Sequence, residues 1–356
     1  MSAARGPVAV TVRARSDLGR TRDHNEDCFL ITDLSALGRD LAQGGPHRVG
    51  ERGSVFLVAD GMGGAAAGEL ASSMAGGFIV QYLTEHWNQD GAKSPERFAE
   101  HLRTAVEQAN EQLHSYGKEH PDVRGMGTTA TVAGILDGAL YLAQVGDSRG
   151  YLVRDGVATQ VTKDQSLMQR LVDAGELTEE EAAQSERRNI ILQALGPDPR
   201  IRVELTWQEL RRGDTLVICS DGLSGQLKRE EIARLVQELS DLDQLCDRLV
   251  ALANERGGPD NITVVAARFE GEGLPRTGSA GEVGYHVFPE EPADAGAEPP
   301  APEPPAPEPP AAPPPPAPPS EPPPPSTRRG GSPKVVAAVT VGALVVLAII
   351  YFLLRR

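Results

Sequence analysis

The sequence predicts an α+β domain built from layered antiparallel sheets, followed by a proline-rich linker and one transmembrane helix. Three observations support this class: short apolar segments separated by hairpin turn signals, helical stretches that come in pairs, and a change of composition near residue 271. Of the 29 prolines, 22 lie between Gly271 and Pro333. We therefore divide the chain into a globular domain (residues 1–270), a linker (271–333) and a C-terminal anchor (334–356).

Apolar segments bounded by turn residues predict the strands of the globular domain. Ser54–Ala59 is apolar nearly throughout, which is typical of a strand buried on both faces. Asp137-Gly138 and Asp155-Gly156 are strong hairpin turn dipeptides. The predicted strands are Val8–Ala14, Cys28–Ile31, Ser54–Ala59, Thr128–Leu136, Ala139–Val145, Gly150–Val153, Val157–Thr162, Thr215–Ser220 and Ile262–Phe269.

Amphipathic stretches predict four helices in two pairs, near Ala66–Trp87, Pro95–Tyr116, Glu230–Glu238 and Leu242–Glu255. Many strands are joined directly by hairpins, so a regular alternation of strand and helix is absent. This organisation favours layered sheets over a doubly wound parallel sheet.

Composition excludes several classes of function. The chain carries 35 basic and 50 acidic residues, a formal charge of −15, which argues against a nucleic-acid partner. Its three cysteines, Cys28, Cys219 and Cys246, have no paired spacing. A disulfide framework and a cysteine-based zinc site are therefore not expected.

The C-terminal part of the sequence predicts a membrane anchor on a stalk. The proline repeats favour extended polyproline II, which makes residues 301–325 a semi-rigid spacer of about 3.1 Å per residue. Val335–Leu354 carries no charge, and at about 1.5 Å per residue it spans roughly 30 Å, the thickness of a bilayer core. The first seventeen residues lack the apolar run of a secretory signal. We expect a single-pass protein of the cell membrane with its globular domain in the cytoplasm.

Acidic residues at strand ends are the main chemical feature of the globular domain. Asp60, Asp147 and Asp221 follow apolar strands, and Asp260 precedes one. A single Asp-Gly pair indicates a turn, but four acids at the rim of one sheet system indicate a site. Hard oxygen ligands, with almost no His or Cys nearby, suit Mg²⁺ or Mn²⁺.

Seven motifs, in the family's order and across about residues 10–269, resemble the bacterial form of the metal-dependent Ser/Thr protein phosphatases of type 2C. The resemblance implies an αββα sandwich, in which two antiparallel sheets pack face to face between helix pairs and a metal site lies in a cleft at one edge. The motifs are Arg22-Asp-His-Asn25-Glu26-Asp27, Asp60-Gly-Met-Gly-Gly64, Gly127-Thr-Thr129, Val145-Gly-Asp147-Ser-Arg149, Asn189 through Ala194-Leu195-Gly196, Ser220-Asp221-Gly222 and Gly258-Pro-Asp260-Asn261.

The resemblance also implies a set of metal ligands. Asp60 would bridge two divalent ions, Mn²⁺ or Mg²⁺, with the carbonyl of Gly61 as a further ligand. Asp221 and Asp260 would hold the second ion. Asp147 matches an acid that helps to bind a third, weaker ion in bacterial members, although its residue type and position fit a structural role in its turn equally well.

Four other positions match groups around the metals and the substrate. Arg22 matches the arginine that grips the substrate phosphate and, with Asp60, is assigned to catalysis; outside its motif it would be an ordinary surface arginine. Glu26, Asp27 and Asn261 match residues near metal-bound waters. Two cations can activate a water and neutralise the phosphoryl group, so that the water attacks directly and no covalent intermediate forms.

Two positions depart from the family pattern. Met62 stands where many eukaryotic members have a histidine proposed as general acid, so the proton donor is unassigned. Gln165, in the segment Thr162–Asn189 that corresponds to a mobile flap, replaces a histidine common in relatives. This leaves the role of the flap in substrate choice open.

The resemblance implies a protein-serine/threonine phosphatase with a monomeric catalytic domain. Its expected partners are phosphorylated proteins, in particular a membrane Ser/Thr kinase of bacterial type and its substrates, without nucleic acid. Two alternatives remain at this point. One is a non-catalytic phosphoprotein-binding scaffold, and the other is a phosphatase that acts on an anti-sigma-factor antagonist.

Overall fold

A computed structural model describes residues 6–36, 39–41, 45–185, 187, 189–276 and 283–288. These residues all belong to one compact unit, residues 1–293. Within the described ranges no helix combines the length and the apolar character needed to cross a bilayer. The predicted anchor, residues 334–356, and the proline repeats lie outside the described residues, so both stay predictions.

Thirteen strands of the described chain form two antiparallel sheets. The strands are β1 (Ala9–Asp17), β2 (Asp27–Asp33), β3 (Arg39–Asp40), β4 (His47–Arg48), β5 (Ser54–Met62), β6 (Gly127–Thr128), β7 (Ala130–Leu136), β8 (Ala139–Val145), β9 (Arg149–Arg154), β10 (Val157–Gln160), β11 (Glu204–Glu209), β12 (Thr215–Cys219) and β13 (Ile262–Glu270). The first sheet has the order β10-β9-β12-β13-β1-β4, and the second has the order β11-β8-β7-β5-β2-β3, with β6 paired to the end of β5.

Seven α-helices accompany the sheets in the described residues. A side-chain cap begins several of them: the Ser94 hydroxyl accepts from the Arg97 N–H at the start of α2, and Asp241 accepts from the Gln244 N–H at the start of α7. The helices are α1 (Ala65–Glu85), α2 (Pro95–Glu119), α3 (Leu167–Asp173), α4 (Glu179–Gln184), α5 (Asp221–Ser224), α6 (Arg229–Glu238) and α7 (Leu242–Glu255).

Three separate apolar cores define four layers. One core lies between α1, α2 and the second sheet, with Trp87, Phe98 and Leu57 fully buried. A second fills the space between the two sheets around Phe56 and Phe269. The third lies between the first sheet and the pair α6 and α7. Alternate residues of β5 therefore serve two cores, which explains its continuous apolar run. The expected αββα sandwich is confirmed.

Most predicted elements are present, and the differences have local causes. The two hairpins turn at Asp137-Gly138 and Asp155-Gly156, where each Asp has φ of 49°. Strand β11 and helices α3 and α4 were not predicted, because each has only six or seven residues and therefore gives little periodic signal. Residues assigned to the linker also pack on the domain: Leu274 is buried, and the Phe288 N–H donates to Leu205 O at 2.8 Å. The folded part therefore extends beyond residue 270.

Candidate metal centre

Asp60 lies where β5 leaves the second sheet, and two threonines hold its backbone. The Asp60 N–H donates to Thr129 Oγ1 at 2.9 Å, and Asp60 O accepts from the Thr129 N–H at 2.8 Å and from Thr128 Oγ1 at 3.0 Å. These bonds use both backbone groups of Asp60. Its carboxylate is thereby held at a fixed point of the cleft.

Asp27 begins β2 and is the direct cross-strand partner of Asp60. Its Oδ2 accepts from Ser220 Oγ at 2.8 Å, and Ser220 Oγ in turn accepts from the Thr263 N–H at 3.0 Å. Burial raises the pKa of Asp27 to about 7, opposed by the hydroxyl donors and assisted by repulsion from nearby acids. Ser220 therefore ties β2 of one sheet to β12 and β13 of the other.

Asp221 and Asp260 come together from two neighbouring segments of the first sheet. Asp221 begins α5 and is separated from the end of β12 by Ser220 alone, and Asp260 precedes β13. The backbones approach closely here, since a Cβ on Gly222 would lie 2.0 Å from Asn261 O. Only glycine fits at residue 222. Burial and repulsion from Asp260 raise the pKa of Asp221 to about 6.

Arg22 contacts Asp260 from the β1–β2 loop. Its Nη2 donates to Asp260 Oδ2 at 2.8 Å, and this hydrogen bond is the main reason that the pKa of Arg22 rises. The Arg22 side chain is 46% exposed. The guanidinium thus faces solvent at the cleft and offers further N–H donors to an anion.

Asn261 organises the same loop through its side-chain amide. Nδ2 donates to Leu18 O at 3.0 Å and His24 O at 2.9 Å, while Oδ1 accepts from the Glu26 N–H at 2.8 Å. These three backbone contacts occupy the amide. Its predicted place beside metal-bound water is untested, and the geometry gives it the role of holding the loop that carries Arg22 and Glu26.

Glu26 and Gly61 lie on the same side of the cleft. The Gly61 N–H donates to Glu26 O at 3.1 Å, and a Cβ on Gly61 would meet Gly68 O at 2.1 Å. The backbone can pass here only because residue 61 has no side chain. Burial raises the pKa of Glu26, whereas the charge of Arg22 lowers it.

Asp147 follows β8 and is 5% exposed. Burial, together with repulsion from Asp221 and Asp164, raises its pKa to about 8. Gly146, the residue before it, has φ of +103°, a conformation that glycine adopts readily. The structure therefore brings Asp147 into the same acidic cluster as the other predicted ligands.

The electrostatics of this cluster fit a cation. Burial, and then repulsion from Asp27, Asp221, Asp147 and Asp260, raise the pKa of Asp60 well above its usual value. Oδ1 of Asp27, of Asp147 and of Asp221 is buried and accepts no hydrogen bond from the described residues. A buried carboxylate oxygen without a donor is costly, and a divalent cation relieves both this cost and the repulsion.

The carboxylates do not form a closed ligand set. Among the described residues, no three His, Cys, Asp or Glu side chains converge on one point in the manner of a complete metal site. One oxygen of Asp260 is held by Arg22 instead. The donor chemistry of the cleft, which consists of carboxylate oxygens, fits Mg²⁺ or Mn²⁺.

Several supporting residues were not assigned by sequence reasoning. Thr128 and Thr129 were seen only as part of a motif, and Ser220 only as the neighbour of Asp221. Ser148 Oγ lies 2.9 Å from Thr129 Oγ1 in a fully buried contact. The sequence did carry a signal for these residues, because they are serines and threonines close to the predicted strand-end acids. Such hydroxyl groups form hydrogen bonds with nearby backbone groups.

Comparison with known proteins agrees with this site. A sequence profile of the family Protein phosphatase 2C matches residues 38–262. The "Serine/threonine phosphatase stp" of Listeria monocytogenes is 35% identical over 252 residues, which cover 70% of this chain and 92% of that protein.

Solved structures give the same result. The serine/threonine phosphatase of S. agalactiae superposes with a TM-score of 0.64 at 33% identity, covering 73% of this chain and 99% of that one. The catalytic domain of the serine/threonine protein phosphatase PstP, solved in complex with two manganese ions, has a TM-score of 0.60 at 35% identity and covers 74% of this chain and 99% of that one.

The two-sheet sandwich and its acidic cleft define the class of metal-dependent phosphatases, and the chain belongs to the protein phosphatase 2C family. It is a bacterial-type protein-serine/threonine phosphatase, a hydrolase of phosphoric monoesters.

Proposed function

We propose that this chain hydrolyses phosphoserine and phosphothreonine on proteins by direct attack of a water activated between two Mn²⁺ or Mg²⁺ ions. The observation that carries the proposal is the set of buried, mutually repelling carboxylates with unsatisfied oxygens. Asp60 and the Gly61 carbonyl, with Asp221 and Asp260, are the proposed ligands. Asp147 is the proposed ligand of a third, weaker ion. The two manganese ions in the related PstP domain support this assignment.

When bound, the ions lower the pKa of a water and neutralise charge on the phosphoryl group. The protein residues bind the substrate phosphate and orient it. Arg22 presents a planar fork of N–H donors that suits phosphate oxygens, and its contact with Asp260 places it beside the proposed metal ligands. Asp27 and Glu26 lie at the cleft, where their carboxylates would accept hydrogen bonds from water when the ions are bound.

The test is phosphopeptide hydrolysis by the purified chain with Mn²⁺, with EDTA, and by Asp60→Asn. We expect activity that requires the metal and a loss of at least about 100-fold in kcat for Asp60→Asn, because loss of a single preorganised electrostatic group already costs roughly 10²–10³. Asp173→Asn, an exposed acid on α3, is the matched control. Turnover that is independent of metal and survives in Asp60→Asn would contradict the mechanism.

A non-catalytic scaffold is disfavoured by the same residues. A binding module has no need to keep several acids close enough to repel one another, and the charges of Asp147, Asp221 and Asp260 all act on Asp60 in one cleft. Phosphopeptide binding by the metal-loaded chain without turnover would favour the scaffold.

We also propose that the protein is anchored in the cell membrane by residues 334–356, with the phosphatase domain in the cytoplasm, where it counteracts a membrane Ser/Thr kinase. The uncharged run Val335–Leu354 supports the anchor. Deleting residues 334–356 should move the protein from the membrane to the soluble fraction. Phosphoproteomics of a deletion strain should then show raised phosphorylation of kinase targets, and a change confined to an anti-sigma-factor antagonist would favour the other substrate.

A further inference from the structure

We propose that Gln165 is a positioning residue that fastens the flap beside the cleft to the turn carrying Asp147. In the structure the flap comprises the described residues of the range 165–193, so its second end lies four residues beyond the predicted segment Thr162–Asn189. The proposal rests on the proposed phosphatase function for its kinetic consequence, whereas the physical link can be tested in the metal-free protein.

The link to the acidic turn uses both backbone groups of Gly146. The Gly146 N–H donates to Gln165 Oε1 at 2.9 Å, and the Gln165 N–H donates to Gly146 O at 3.0 Å. Gln144 Nε2 also donates to Gly146 O, at 3.1 Å. Because Asp147 is the next residue, these bonds join the flap to the turn that carries the proposed ligand of the third ion.

The two ends of the flap meet at the same residue. The Leu192 N–H donates to Gln165 O at 2.9 Å, and Ser166 forms a β-bridge with Ile191. The Leu167 N–H donates to Ile190 O at 2.8 Å. The backbone of Gln165 therefore closes the base of the flap, while its side chain holds that base against Gly146.

A second glutamine completes the connection. Gln193 Nε2 donates to Gln165 Oε1 at 3.2 Å and to Arg202 O at 3.1 Å, and Gln193 Oε1 accepts from the Arg202 N–H at 2.6 Å. Gln165 Oε1 thus accepts two hydrogen bonds from two different segments. A side chain that holds both segments from residue 165 must therefore carry a hydrogen-bond acceptor at the position of Oε1.

Hydrogen bonds also fix the residue that precedes Gln165. Asp164 is buried and accepts two hydrogen bonds from Arg149, at 2.7 and 3.0 Å, and its other oxygen accepts from the Ser166 N–H at 2.8 Å. Because Asp164 is held in this way, the side chain of Gln165 can set the orientation of the flap. The flap presents Ile190 and Leu192, each 43% exposed, to a protein substrate.

This arrangement predicts different effects on two classes of substrate. A phosphoprotein contacts both the phosphate site and the flap, whereas a small phosphate ester reaches only the phosphate site. Loss of the Gln165 acceptor should therefore raise the KM for a phosphopeptide and leave the KM for a small ester nearly unchanged.

The experiment compares Gln165→Met, Gln165→Glu and Gln169→Met in the full chain. Methionine keeps the shape without the acceptor, and glutamate keeps acceptor oxygens. Gln169 is the control because it lies on the same flap and, among the described residues, its side chain bonds only Asp173. Hydrogen exchange of the Gly146 amide in metal-free protein should accelerate at least about tenfold in Gln165→Met, since its hydrogen-bond acceptor is removed. Exchange should stay near the wild-type rate in the other two variants.

Kinetics supply the second readout. In Gln165→Met the KM for a phosphothreonine peptide should rise at least fivefold, while the KM for p-nitrophenyl phosphate should change less than twofold. Gln193→Met should shift the Gly146 exchange rate and the peptide KM in the same directions. An unchanged Gly146 exchange rate, or an equal rise of KM for both substrates, overturns the proposal. A wild-type chain inactive on both substrates overturns the proposed function instead, with the exchange result still deciding the physical link.

Discussion

Asp27 and Asp60 occupy directly opposed positions in the antiparallel ladder of β2 and β5, so two carboxylates face one another where the sheet ends. Like charges directly across a ladder are destabilising, and here burial adds to the effect. The folded chain therefore holds carboxylates that repel one another at the cleft. A bound cation removes this repulsion, and the free energy gained in this way contributes to the affinity of the site for the cation.

The first prediction concerns pH and the metal-free protein. The pKa values of Asp27, Asp147 and Asp221 are raised to about 7, 8 and 6 in the folded chain. The native state then binds more protons than the unfolded state above pH 4, so the free energy of unfolding falls as the pH rises from about 4 to 8. Between pH 5 and 8 the Tm in EDTA should drop by roughly 5 °C or more, since 1 kcal/mol is worth about 2–4 °C.

Thermal scans in EDTA at several pH values measure this slope. Asp147→Asn removes one titrating group and should make the slope shallower, whereas Asp173→Asn on the exposed surface of α3 should leave it unchanged. A metal-free Tm that rises across this pH range contradicts the account.

The second prediction concerns Ser220. Its hydroxyl donates to Asp27 and accepts from the Thr263 N–H. Ser220→Ala leaves that buried N–H without a partner, and we expect a loss of about 1–3 kcal/mol in the free energy of unfolding. Denaturant titration of the variant and of Ser224→Ala, the control on α5, measures the difference. A loss below about 0.5 kcal/mol would show that the hydroxyl bridge is dispensable.

The third prediction concerns Arg22. Removing the guanidinium in Arg22→Met should raise the KM for a phosphopeptide about tenfold or more, because hydrogen bonds to charged groups are worth about 1.5–3 kcal/mol. Arg22→Lys keeps the charge but loses the fork and should fall between. The ion pair with Asp260 is 46% exposed on the arginine side, so stability should change by less than about 1 kcal/mol.

Arg20→Lys, in the same exposed loop, is the control for the Arg22 variants. Steady-state kinetics at saturating Mn²⁺ separate KM from kcat. A wild-type KM in Arg22→Met would remove Arg22 from the phosphate site.

The fourth prediction separates stability from catalysis. Arg154 and Asp214 form a buried ion pair with two hydrogen bonds, at 2.9 and 2.6 Å, far along the sheet from the cleft. Removing one charge leaves the other buried and unpaired, so Asp214→Asn should lower the free energy of unfolding by about 3–5 kcal/mol. Its kcat at 20 °C should stay within twofold of wild type, as measured by denaturant titration and phosphopeptide hydrolysis. A large fall in kcat with unchanged stability would contradict this assignment.

The sequence could predict the parts of this structure that depend on local pattern. The apolar run of β5, the amphipathic α2 and the Asp-Gly hairpins each follow from short-range rules, and they are confirmed. The acids at strand ends were recognised because each follows or precedes an apolar segment. Their place at the rim of one sheet system was expected from this pattern, whereas the role of each acid toward a particular ion required the family resemblance, since pairing between distant strands is not encoded locally.

Other features depend on tertiary contacts that leave little local signal. Strand β11 has only six residues and is stabilised by pairing with β8 and with residues 283–288. The bonds of Gln165 to Gly146 and of Asn261 to the β1–β2 loop join segments far apart in the chain. Ordinary polar residues acquire these roles only when the fold brings their partners within 3 Å.

The central claim is that the buried carboxylates hold a pair of hard divalent cations, and calorimetric titration of the metal-free chain with Mn²⁺ tests it most directly. Two ions per chain should bind to the wild-type protein at pH 8, with Asp147→Asn affecting only a weaker additional event. Asp221→Asn should lose at least one of the two ions, and the Asp173→Asn control should lose neither. Absence of stoichiometric binding in the wild type, or full binding in Asp221→Asn, would contradict the account.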